Sequence, residues 1–173
     1  MDLRCFQNIL VNSSSIMTPS SRFSILLSIG FYATAGGVVA DEDFDPQPVI
    51  EGRQSALRDI GAAFKGITDE LKKTAPSLPQ MRHYARQIDD LAKQQTFWFP
   101  SGTGPESDFE TAAKPEIWQQ PAQFKAAQAA FGEQVAKLVS VAAANDVAAI
   151  RNQWQALGKT CRDCHDKFRE KDH

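Results

Sequence analysis

Apolar residues recur along most of this chain at alternating intervals of three and four, the period of one face of an α-helix. Leu57, Ile60, Phe64, Ile67 and Leu71 are separated by three, four, three and four residues, with Ile50 upstream, which predicts a helix over about 48–74. Arg53 falls on that same face, so either its stem snorkels to the rim or a buried anion awaits its charge. The segment Ala75-Pro76-Ser77-Leu78-Pro79 ends the helix, since proline removes an amide donor and restricts the residue before it. Met81, Tyr84, Ile88 and Leu91 then predict a second helix over about 79–95. Met81 and His83 are both potential metal ligands, but Met81 lies on the apolar stripe and is read as core, while His83 lies off it and is read as solvated.

Residues 96–114 contain Pro100, Gly102, Gly104 and Pro105 without a sustained period and form a long connection. Its aromatic start, Phe97-Trp98-Phe99, is expected to be buried as a lid on the core. Pro115-Glu116-Ile117-Trp118 resembles a helix entrance, and Phe124, Ala127, Phe131, Val135, Leu138 and Ala142 carry a third stripe, together a helix over about 115–144. Asn145-Asp146 supplies a stop and a cap. Val147, Ile150, Trp154, Leu157, Cys161, Cys164 and Phe168 share the face of a fourth helix, about 146–170. The expected fold is all-α: an antiparallel four-helix bundle with one long crossover loop.

The first forty residues follow a different grammar. Residues 23–39 are mostly apolar, preceded by Arg22 and followed by Ala40 and the acidic run Asp41-Glu42-Asp43. This is the pattern of a signal peptide cleaved after about Ala40, with the mature domain over 41–173 in the periplasm; Gly30, Gly36 and Gly37 weigh against a retained membrane anchor. A start at Met17 would give a leader of more usual length, and Cys5 would then carry no function. The chain has 19 basic and 21 acidic residues, and removing the leader takes away Arg4, Arg22 and Asp2, leaving a mildly acidic protein without the electrostatic footprint of a nucleic-acid binder.

The chemistry begins at Cys161-Arg162-Asp163-Cys164-His165, the C-x-x-C-H pattern of c-type haem attachment. Two thiols three residues apart on a helix share a face and can add to the two porphyrin vinyl groups, and His165, four residues after Cys161, can reach the iron from the same side. Other uses of the cysteine pair fit less well. A thioredoxin-like pair wants a preceding strand, a zinc site wants a second close pair of ligands where only His83 and His173 remain, and a disulfide across three helical residues is strained.

With that motif, the sequence resembles the cytochromes c′, the class II cytochromes c. The resemblance rests on C-x-x-C-H followed by Asp166-Lys167-Phe168-Arg169, on Gly52-Arg53-Gln54-Ser55-Ala56-Leu57, and on Lys114-Pro115-Glu116-Ile117-Trp118, and it spans essentially the whole mature chain. It implies a left-handed bundle, usually a homodimer, holding one covalent haem c per chain through Cys161 and Cys164, with His165 as the iron ligand and no protein ligand on the other face. It further implies that Leu57 is the apolar distal residue and that Arg53 and Gln54 bind haem propionates. Arg169 is then the basic residue on the proximal side, or a solvated arginine favoured by the helix dipole, and Phe99 the distal-pocket aromatic.

A leucine has no lone pair to donate, so the resemblance implies five-coordinate, high-spin iron that binds nitric oxide and carbon monoxide and passes single electrons to unknown redox partners. The alternative is a six-coordinate low-spin class II cytochrome c, an electron carrier only, which places a methionine where this chain has Leu57. An enzyme is not expected, because the distal wall offers no acid or base. The dimer is left open by the residues themselves, since the stripes of the first two helices can also close within one bundle.

Overall fold

The protein is described here by a computed structural model over residues 44–171; the leader over 1–40 with its cleavage site, Cys5 and the alternative start at Met17 lie outside the described residues. The three-and-four spacing produces α1 (Gln47–Leu71), α2 (Leu78–Ala92), α3 (Glu116–Gln119), α4 (Pro121–Ala143) and α5 (Val147–Phe168), with a 3-10 turn at Gln95–Phe97. Their ends have local causes. Asn145 takes a left-handed φ of 61° and breaks α4 from α5, and the Asp146 carboxylate caps α5 by accepting from the Ala149 N–H at 3.0 Å. Where α1 turns into α2, the buried Glu70 carboxylate accepts from Lys73 Nζ at 2.6 Å and from the Ser77 N–H at 2.8 Å.

The four long helices form the expected antiparallel bundle. Ile67, Met81, Ile88, Val135, Leu138, Ile150 and Leu157 are fully closed from solvent and make its main core, each burial worth roughly 1.5–3 kcal/mol. Met81 therefore serves packing, and His83 is exposed, as their positions on and off the stripe predict. The pairs α1–α2, α2–α4 and α4–α5 meet broadly, whereas α1 and α5 touch only narrowly. That loosely closed side carries the functional site.

Four expectations need correction. The helix expected over 115–144 is two helices, because Pro121 cannot donate and pushes Gln120 to φ −125° and ψ 55°, outside the helical region. The helix expected to reach 170 stops at Phe168: Arg169 is extended and bridges Ala113, with the Lys114 N–H donating to the Phe168 carbonyl at 3.0 Å and the Glu170 N–H to the Ala112 carbonyl at 2.8 Å. The first two helices end at Leu71 and Ala92, each about one turn before the expected 74 and 95. Finally, Phe97 is not part of a buried lid but 80% exposed. Gln95 and the buried Gln128 exchange amide bonds with each other's carbonyls at 3.1 and 2.9 Å, and in a 3-10 turn residues three apart eclipse. Gln95 and Trp98 thus share the inward side, and Phe97 is turned out.

Candidate functional site

The last turns of α5 place Cys161 and Cys164 on one face, between two apolar clusters. Cys161 packs against the main core, and Cys164 against a second cluster of Ala113, Ile117, Phe124 and Phe168. At this second cluster lies a cavity of about 480 Å3, within the size range of cofactor sites. From α5, Cys164, His165 and Phe168 line it, with Arg169 just beyond the helix end; from α1, Arg53, Gln54, Leu57 and Arg58; from the crossover loop, Phe99 and Thr111 to Ala113; Ile117 and Phe124 complete the wall. Seven of the eight residues singled out from the sequence therefore meet at one cavity, and Cys161 lies one helical turn from Cys164.

The wall is mostly hydrocarbon. Phe99 stands edge-on to Phe124 at 4.9 Å and to Trp118 at 6.3 Å, and Phe124 edge-on to Phe168 at 5.1 Å. Leu57 is 43% exposed, a leucine left at the cavity mouth rather than in the core. Burial raises the pKa of both thiols, so they are neutral rather than the low-pKa thiolates of a redox pair. Burial, and then the charge of Arg169, lowers the pKa of His165, with Asp166 opposing. The imidazole is thus kept neutral, with a lone pair available to a metal. Among the described residues no group of three or more His, Cys, Asp or Glu could hold a metal ion, so the zinc reading lacks a ligand set there.

Arg53 is buried, 2% exposed, and its hydrogens go to the crossover loop. Nη1 donates to Thr103 Oγ1 at 2.8 Å and, at the long distance of 3.5 Å, to the Trp98 carbonyl; Nη2 donates to the Thr103 carbonyl at 2.6 Å and to Thr111 Oγ1 at 2.7 Å. Beside it, the Gln54 amide donates to the Glu110 carbonyl at 3.0 Å. Burial lowers the Arg53 pKa, partly offset by Glu106. The sequence reading missed Thr103 and Thr111. The available signal was the tripeptide Gly102-Thr103-Gly104: Gly102 has φ 82°, and a Cβ on Gly104 would meet the Trp118 ring at 2.8 Å. Arg58 was also missed, although it follows Leu57 directly.

An apolar cavity at the open side of a helical bundle, with a neutral imidazole and a thiol in its wall and a second thiol one turn away, fits a covalently held porphyrin, and the class these features define is a helical c-type haem protein. The family model for cytochrome C′ matches residues 48–169. Cytochrome c′ of Alcaligenes xylosoxydans xylosoxydans is 32% identical over 127 residues, covering 73% of this chain and 96% of that one. Among solved structures, a cytochrome c′ with ligand-controlled dimer dissociation superposes with a TM-score of 0.70 at 25% identity, covering 74% of this chain and 98% of that one. A nitric oxide complex of a variant cytochrome c prime from Alcaligenes xylosoxidans gives a TM-score of 0.66 at 30% identity, over 73% and 98%. The chain belongs to the cytochrome c′ family. Its cofactor is haem c, attached through Cys161 and Cys164.

Proposed function

We propose that this protein is an exported, periplasmic cytochrome c′ whose five-coordinate, high-spin iron binds nitric oxide and carbon monoxide and passes single electrons. The observation that carries this is the make-up of the cavity wall: among the described residues lining it, His165 alone has an imidazole, none is a methionine, and α1 contributes Leu57. Bound there, haem would supply a one-electron couple and a metal able to take a gas ligand. His165, on α5, would hold the iron. Leu57 has no lone pair to give, and displacing it penalises ligands that need room. Arg53 and Gln54 already donate to the loop, so neither is a ready hydrogen-bond donor for dioxygen, whereas nitric oxide and carbon monoxide need none.

Arg53 and Gln54 both stand in the cavity wall, and the positive charge of Arg53 there supports their reading as the groups that meet haem propionates. Arg169 borders His165 and lowers its pKa, which supports the proximal reading of that residue. No aspartate or glutamate lines the cavity among the described residues, so its wall offers no carboxyl group to move a proton. Export rests on the sequence of residues 1–40; in the described part no helix is long and apolar enough to cross a membrane. A homodimer is supported by the dimer of the similar solved structure. Ferrous spectra before and after adding carbon monoxide test the proposal. A high-spin spectrum that turns low-spin on carbon monoxide is expected, and a low-spin spectrum that does not respond would overturn it.

A further inference from the structure

The crossover loop is fastened to α1 through a guanidinium that has no carboxylate among its hydrogen-bond acceptors. A buried cation with only neutral acceptors is costly, and the acceptors themselves indicate what it does. Thr103, fully buried, turns both its hydroxyl and its carbonyl to Arg53, an arrangement that Gly102 in the left-handed region and the crowded Gly104 make possible. The Thr103 hydroxyl in turn donates to the Pro100 carbonyl at 2.8 Å, and Trp118 Nε1 donates to that same carbonyl at 3.1 Å. Phe99, adjacent to Pro100, lies with its ring 4.9 Å from Arg53 Cζ and against Phe124.

We propose that Arg53 and Gln54 clasp the crossover loop and that Thr103 and Thr111 are positioning residues, which together hold Phe99 as a fixed wall of the cavity and so set how large a ligand reaches the iron. This rests on the haem reading above and is additional to any contact of the Arg53 charge with a propionate. A planar fork can hold the hydroxyl and carbonyl of Thr103 and the hydroxyl of Thr111 at once, and an ammonium cannot reproduce that geometry. Removing the two hydroxyl acceptors, or replacing the fork with a point charge, should therefore loosen the loop, with the Thr103 carbonyl left as the remaining acceptor in the threonine variants.

The test compares holoprotein carrying Thr103→Val, Thr111→Val, both together, or Arg53→Lys with the parent, using far-UV circular dichroism to confirm the bundle. Hydrogen exchange reports loop attachment, and the ratio of ferrous association rates for n-butyl isocyanide and carbon monoxide reports the size limit. Amides of residues 98–113 should exchange about tenfold faster or more in the double variant and in Arg53→Lys. The isocyanide-to-carbon-monoxide ratio should rise about fivefold or more, the factor one ordinary hydrogen bond carries. Parent-like exchange and ratio in the threonine variants and in Arg53→Lys would overturn the clasp. If the parent binds neither gas nor isocyanide, the open-iron reading fails, and the exchange measurement still decides whether the clasp exists. Should the double variant not fold, the single variants and Arg53→Lys decide the question by the same two measurements.

Discussion

At the end where α1 turns into α2, Ile67, Met81, Leu138 and Ile150 shut out solvent completely, and aliphatic packing holds the helices. At the opposite end, where α5 carries Cys161, Cys164 and His165, the helices part around a cavity of about 480 Å3, and a loop fastened by hydrogen bonds takes the place of a fourth packed face. The first end is filled by its own side chains. The second keeps its space because Arg53, Gln54, Gln128 and the Ala113–Arg169 bridge hold the walls apart from one another and still attached to the bundle. Stability and cofactor binding are thereby assigned to different ends of the same four helices.

The comparison yields predictions of decreasing size. Replacing both Cys161 and Cys164 by serine should abolish haem that survives denaturing electrophoresis, leaving the closed end folded by circular dichroism; covalent haem retained in that variant would contradict the attachment. In the closed end, Leu138→Ala should cost about 2–5 kcal/mol in urea unfolding, as for a buried leucine whose site cannot collapse, with carbon monoxide affinity unchanged. A loss under about 1 kcal/mol would show that this end is not the stability reserve. At the open end the effects reverse. Leu57→Ala, in the cavity wall and outside the main core, should move the unfolding midpoint less than Leu138→Ala yet speed carbon monoxide association by about tenfold, and equal rates would remove Leu57 from the ligand's path.

The smallest effect concerns pH. Lys73 and the Ser77 amide hold the Glu70 pKa below its usual 4.5, so the folded state favours the carboxylate. A depressed carboxyl stabilises the fold at pH above its unfolded value and ceases to as pH falls through the lowered one. Glu70→Gln should therefore lower stability at neutral pH slightly and flatten the acid limb below about pH 4.5, read from unfolding midpoints across that window. Parallel acid limbs for the two proteins would show that this carboxylate is not coupled to folding.

Local rules account for what the sequence made legible. The haem motif lies within about one helical turn, and the stop at Asn145 with the Asp146 cap needs no distant partner, so both were readable directly. The inward placement of Arg53 followed from helical spacing, and the residue is indeed buried. Its hydrogen-bond acceptors were not readable, because they lie 45 to 58 residues away on a loop without a period. Phe97 was misplaced for a related reason: hydrophobicity alone buries all three aromatics of residues 97–99, but the Gln95–Gln128 exchange settles which way a 3-10 turn faces. The break at Gln120 was signalled by Pro121 and obscured by the strong period that resumes after it.

Resonance Raman spectroscopy of the ferrous holoprotein tests the central claim most directly, that a histidine on α5 is the iron's sole protein ligand and Leu57 faces the open side. Five-coordinate high-spin marker bands with an iron–histidine stretching mode are predicted, the mode vanishing in a protein with His165→Gly. Six-coordinate low-spin markers in the unliganded ferrous protein would contradict the account.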